Sequence, residues 1–135
     1  MGSNYRIGMV LLAGVAMGGL AVEGLHAQSK APVYYVSEID VHDVDAYAKE
    51  YAPKAQAIIK AAGGRFVAVG GLAGSSTGNL TVFDGVAPKR MTISVWDSME
   101  KIKAWRASPE FADIRKVGQK YATFSRSVAI EGAPQ

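Results

Sequence analysis

The sequence predicts an α+β domain in which a four-stranded antiparallel sheet is covered on one face by two helices. Three observations carry this expectation. Residues 33–41 alternate with the two-residue period of a half-buried strand, and two later stretches place apolar residues at helical spacing. The elements also come in the order strand, helix, strand, strand, helix, strand, which is the split βαβ plan of ferredoxin-like domains.

In the first strand Tyr35, Ser37, Ile39 and Val41 share one face, and Tyr34, Val36, Glu38 and Asp40 share the other. Two carboxylates on an otherwise apolar strand require partners. The helix that follows starts at Asp43, whose carboxylate can accept from free amides of the first turn. Val44, Tyr47, Tyr51, Ala55, Ile58, Ile59 and Ala62 form its apolar stripe, and Gly63-Gly64 stops it. Pro53 lies inside this helix and should kink or divide it, because it lacks an amide donor and crowds the carbonyl four residues back.

A second strand is expected at 65–69, then a Gly/Ser/Thr loop at 72–79. That loop has no Walker-type lysine and opens no helix, so it is read as a turn-rich connection and not as a phosphate cradle. Residues 80–83 are apolar enough for a short strand before the Asp84-Gly85 turn. The third main strand is expected at 89–96, with Met91, Ile93 and Val95 opposite Arg90, Thr92, Ser94 and Trp96. Asp97 with Glu100 three residues on marks a helix start, and Ser108-Pro109 marks another. Inward positions there are Ile102 and Trp105, then Phe111, Ile114, Val117 and Tyr121. The last strand is expected at 124–131, with Phe124, Arg126, Val128 and Ile130 alternating against Ser125, Ser127, Ala129 and Glu131.

Composition narrows the function classes. The 135 residues suit one domain, and with no cysteine the chain has neither disulfides nor thiolate chemistry. A net charge of +3, spread along the chain, lacks the basic cluster of a nucleic-acid surface, so no nucleic-acid partner is expected. Ahead of the domain, Arg6 precedes an uncharged, Gly-diluted apolar run at 7–22, and small residues near Ala27 offer a cleavage point. This is the layout of a signal peptide at 1–27, followed by a linker at 28–32, the domain at 33–132 and a tail at 133–135. A periplasmic or secreted location after cleavage near Ala27 follows. The structural rival is an uncleaved membrane anchor, supported by the small residues of 14–18; membrane contact is expected only in that case.

One sheet face is left without helices. Tyr34, Val36, Trp96, Val128 and Ile130 are assigned to it, and so large an apolar patch implies a covering surface, most simply a second copy in a symmetric homodimer.

The segments 35–41, Tyr51-Ala52-Pro53, Gly63-Gly64-Arg65, 96–100, Ser108-Pro109-Glu110-Phe111 and 128–132 resemble the bacterial domain-of-unknown-function family 1330. The resemblance covers roughly 32–132 and implies a dimeric α+β barrel. It implies no particular activity and supplies no catalytic residue. This chain departs in its longer 72–79 loop and in Val95-Trp96-Asp97, where relatives often carry a strand carboxylate.

Each candidate for chemistry stands beside a plainer reading. Glu38 and Asp40, two residues apart on one face, can serve as a general base raised by burial, or be neutralised by Arg126 or Arg90 from neighbouring strands. Those arginines can equally hold a substrate carboxylate by forked hydrogen bonds. His42 joins the catalytic candidates by its place at the mouth of the first strand; its default reading is a surface histidine. Alone it builds no metal site, and no metal or cofactor is expected. Tyr34, Tyr47, Tyr51, Trp96 and Trp105 belong to the core or line a pocket for an aromatic or quinone-like molecule. The expected substrate-binding set is Tyr34, Arg90, Trp96 and Arg126. The resulting expectation is an exported homodimer with a small-molecule pocket between sheet and helices, performing cofactor-independent oxygenation or proton transfer. The alternative is a non-catalytic binding or structural dimer.

Overall fold

The alternation of the first strand translates directly into layers. In the computed structural model, which describes residues 30–72 and 78–134, Val33, Tyr35, Ile39 and Val41 of β1 (Val33–Val41) are buried beneath the helices. The signal-type segment at 1–27 and the centre of the 72–79 loop lie outside the described residues. β1 and β3 (Arg90–Trp96) form the middle of an antiparallel sheet, with β2 (Arg65–Gly71) and β4 (Ala122–Glu131) at its edges in the order β2-β3-β1-β4. This is the ferredoxin-like arrangement.

The first helical arm is divided as Pro53 dictates. A short turn α1 (Val44–Ala46), capped by Asp43 Oδ1 accepting from the Ala46 amide at 3.1 Å, leads into a π-helical turn at Tyr47–Tyr51. α2 (Ala52–Ala61) then takes Pro53 in its first turn, where the missing donor costs nothing. Gly63, with φ of +101°, ends α2, and the amides of Gly63 and Gly64 donate to the carbonyls of Lys60 and Ile59. The second arm is α3 (Met99–Arg106) and α4 (Pro109–Gln119), the latter capped by Ser108. At α3 the cap is Ser98, which accepts from the Lys101 amide. Asp97, expected in that role, instead pairs with Lys101 Nζ at 2.8 Å.

Two cores run along the sheet. One joins Val33, Tyr35, Ile59, Trp96, Ile102 and Trp105; the other joins Ile39, Val41, Tyr47 and Ala122. Trp96 is therefore not on the open face. It pairs across the ladder with Val33, and cross-strand partners share a face, so the helix side is dictated by register. Its Nε1 donates to Ser94 Oγ at 2.9 Å. Gly64 passes so near this indole that an added Cβ would stand 2.5 Å from Cζ2. Gly64→Ala is expected to lower stability by about 1–3 kcal/mol through overpacking, measured as a drop in the urea midpoint at constant slope.

The sheet departs from simple alternation at two bulges. β4 slips between its pairings Glu38↔Arg126 and Ile39↔Phe124, leaving Ser125 unpaired; β2 slips between Phe66 and Ala68. Phe124 consequently points to the helix side while Arg126, Val128 and Ile130 point away from it, which corrects the uniform alternation expected for this strand. The short strand expected at 80–83 is absent: a strand without a ladder partner leaves its amides and carbonyls unpaired. That connection instead carries the exposed Phe83 and Val86.

Candidate functional site

The layer between sheet and helices is not completely filled. A cavity of about 330 Å³ opens over the helix-side face of β1 and β3, floored by Tyr35, Ser37, Ile39, Arg90, Thr92 and Ser94. The π-helical turn positions its roof. Tyr47 and Tyr51 both lie on that turn and both line the cavity, their ring centroids 5.0 Å apart. Irregular helical turns of this kind frequently stand at functional sites. α4 contributes Phe111, Ile114 and Arg115, α3 contributes Trp105, and the β4 bulge turns Phe124 inward.

The aromatic side chains form two groups. Tyr47, Tyr51 and Phe124 are linked by centroid distances of 5.0 and 5.5 Å. Tyr35, Trp105 and Phe111 are linked by edge-to-face contacts of 5.2 and 4.9 Å. Arg115 spans them, its guanidinium 3.7 Å from the Phe124 ring centroid and 4.9 Å from that of Phe111. Arg90 stands over Tyr47 at 5.4 Å. Neither guanidinium has a carboxylate within ion-pair distance among the described residues, and Arg90 Nε is shut away from water without an acceptor.

Burial decides the protonation of the lining. It raises the Tyr47 phenol, an effect opposed by the charge and hydrogen bond of Arg90, and it raises Tyr51 further. Burial also pulls the Arg115 guanidinium below its ordinary range. Both phenols are therefore held neutral at pH 7, as donors and not bases. The sign for stability follows from the unfolded chain, whose tyrosines ionise near their ordinary value of 10.0 while Tyr51 in the fold still holds its proton. Above that pH the unfolded state binds fewer protons, so stability falls as pH rises and is intact below it. Tyr51→Phe should remove about 1.4 kcal/mol per pH unit of this alkaline loss, read from urea unfolding between pH 9 and roughly pH 11.

Of the residues singled out in the sequence, Arg90, Tyr47, Tyr51 and Trp105 meet at this cavity. The others do not. Glu38, Asp40, Tyr34 and Arg126 belong to the opposite sheet face, because a two-residue period separates them from Tyr35, Ser37 and Ile39. There Arg126 Nη2 donates to Glu38 Oε1 at 2.7 Å, and Lys89 lies 3.4 Å from Asp40. Arg90 pairs with Ile39 in the ladder and so cannot join them. Trp96 is sealed in the core beside the cavity, and His42 is exposed at the end of β1, its amide donating to the Tyr121 carbonyl. Of the two arginines weighed as partners for the strand carboxylates, Arg126 thus meets Glu38, and register places Arg90 on the other face.

Arg115, Ser37 and Ser94 were missed as lining residues. The signal for Arg115 lay four residues after Phe111 and three before Gly118, a small residue that admits close packing against Tyr51 and Phe124.

A second hollow of about 430 Å³ lies over Ala61, Ala62, Lys101, Ala104 and Glu110, sharing Ile58 and Trp105 with the first. Its two charges are opposite in sign, so it makes no comparable electrostatic demand. Among the described residues no cluster of three or more His, Asp or Glu side chains is placed to hold a metal ion, and no helix is long and apolar enough to cross a membrane.

Comparison with known proteins adds the fold's kinship. A family model described as a domain of unknown function, DUF1330, matches residues 32–133. Among solved structures the chain is similar to the crystal structure of RPA0582, a protein of unknown function from Rhodopseudomonas palustris. That likeness has a TM-score of 0.58 at 14% identity and covers 86% of this chain and 94% of that one. A crystal structure of the methylated RPA0582 protein gives a TM-score of 0.53 at 16% identity, covering 86% and 90%. No curated protein matches. At these identities the likeness concerns the fold alone.

Proposed function

Since the chain belongs to the DUF1330 family, whose shared domain has no assigned function, we propose an activity from the cavity itself: binding of a small organic anion between sheet and helices. One observation carries this reading. Among the described residues the lining contains two guanidinium groups, Arg90 and Arg115, and no carboxylate. Arg90 and Arg115 are half-buried, charges drawn out of water are normally paired, and a volume of about 330 Å³ lies at the compact end of ligand pockets, so an entering anion would supply the countercharge. The described lining residues include neither a carboxylate nor an imidazole and both phenols are held protonated, which favours binding over proton abstraction.

The open sheet face supports a second part of the proposal, a homodimer. Val128 and Ile130 are 47% and 61% exposed there, beside Val36, Ile93 and Val95, and two copies packed sheet to sheet would cover them. A catalytic role for Glu38, Asp40 or His42 would need a separate site enclosed between those copies. The Glu38–Arg126 pair favours a structural role for that carboxylate. The signal-type layout of 1–27 supports export to the periplasm or beyond, without a membrane partner once it is removed.

Native mass spectrometry of the protein taken from its own cell envelope tests all three parts together. The expected result is a dimer of chains shortened near Ala27, each carrying a small acidic ligand that is lost in Arg90→Gln. A wild-type protein free of ligand at every ionic strength, with Arg90→Gln indistinguishable from it, would overturn the binding proposal.

A further inference from the structure

The geometry points to a single-ring aromatic carboxylate as the ligand class, its carboxylate held by Arg90 and Arg115 and its ring inserted between the two aromatic groups. This rests on the anion-binding reading and narrows it.

The way the guanidiniums are stacked selects the anion. A guanidinium has two faces and a planar rim of N–H donors. The Arg115 guanidinium lies 3.7 Å from the Phe124 centroid and 4.9 Å from that of Phe111, and Arg90 lies 5.4 Å from that of Tyr47. The N–H groups that do not meet the Tyr35 and Tyr47 hydroxyls remain for a ligand, and parallel N–H groups match two oxygens in one plane, which is the shape of a carboxylate. Arg90 lies 5.4 Å from the Tyr47 ring and Arg115 3.7 Å from the Phe124 ring, and Tyr51 contacts both rings at 5.0 and 5.5 Å, so the two guanidiniums meet the cavity at its Tyr47–Tyr51–Phe124 end. There the neutral Tyr47 hydroxyl is an additional donor.

The walls select the rest of the molecule. The cavity is lined both by Tyr47, Tyr51 and Phe124 and by Tyr35, Trp105 and Phe111. Rings already meet edge-to-face within the second group, with interplanar angles of 88° and 77°. A flat ring entering between the groups extends that pattern and gains ring contacts beyond its buried area, whereas a puckered aliphatic ring of equal size gains the area alone.

The test is calorimetric titration of the whole protein with benzoate, cyclohexanecarboxylate and benzamide, followed by benzoate titration of Arg90→Lys and Arg115→Lys. Benzoate is expected to bind at least tenfold more tightly than cyclohexanecarboxylate, and benzamide not to bind measurably. Each lysine variant keeps the positive charge but loses the planar rim, and should weaken benzoate at least tenfold. Circular dichroism identifies a variant that fails to fold, and the three-ligand series on the unaltered protein decides the matter without it. Equal affinity for benzoate and cyclohexanecarboxylate would overturn the aromatic class while leaving the anion reading in place. Benzamide binding as well as benzoate would overturn the carboxylate. Binding of neither acid would end both readings.

Discussion

Trp96→Ala is expected to lower folding stability by about 3–5 kcal/mol, the usual cost of emptying a large aromatic site in a core. Trp96 is 1% exposed, packs against Trp105 at 5.1 Å and fills the space left by Gly64. Its removal also strips the Ser94 hydroxyl of its indole donor in a buried setting. Against a total stability of about 5–15 kcal/mol for a domain of this size, the variant should be partly unfolded at growth temperature. Urea unfolding at 25 °C measures the loss. A decrease below about 1 kcal/mol would mean that Trp96 does not sit beneath the helices, since exposed positions change stability by no more than that.

Val128→Lys is expected to convert the proposed homodimer to monomers. Val128 lies on the open face, aligned across the sheet with Val36 and Ile93. In a two-fold interface one substitution enters twice, so two ammonium groups would be brought together on an apolar surface. A rise in the dissociation constant on the order of a hundredfold follows, equivalent to about 2.7 kcal/mol. Because Val128 is already 47% exposed in the single chain, the monomer fold should persist, its urea midpoint falling only by the stabilisation that association had supplied. Light scattering after size exclusion, run over a range of concentrations, separates the outcomes. A wild-type protein that stays monomeric, or a variant that stays dimeric, would remove this face as the contact.

The parts of the fold that could be read in advance are those governed by one residue's own chemistry. Asp43 and Ser108 cap helices because their oxygens reach the amide three residues on. Pro53 divides its helix because it has no amide to give, and Gly63 ends it because it accepts a left-handed backbone. β1 was legible because nine residues alternate without interruption. What could not be read depends on pairs of strands. A bulge leaves no mark in the pattern of a single strand, so the slip at Ser125 and the slip near Val67 were hidden, and the face occupied by Trp96 became clear only from its partner Val33.

The candidate site was half legible for the same reason. Tyr47, Tyr51, Trp105 and Arg90 were singled out as chemistry-bearing, but nothing local places Arg90 apart from Glu38 and Arg126. That separation is a matter of ladder register: Arg90 faces Ile39's side, and Glu38 faces the other. Arg115 was passed over because a lone arginine beside a helix stripe usually reaches to solvent; here Phe124 arrives from the sheet to stack against it.

The unpaired Ser125 has one more consequence. Were Ser125 instead paired opposite Ile39, β4 would run in strict alternation and Phe124 would emerge beside Arg126 on the outer face, leaving Arg115 with one aromatic neighbour and the pocket with a missing wall. Whether one residue at the rim of the sheet bulges or pairs thus decides which way everything before it in the strand faces. Removing Ser125 would close the bulge with Phe124 still opposite Ile39, whereas drawing Ser125 into the ladder would carry Phe124 off the lining although no lining residue had been altered.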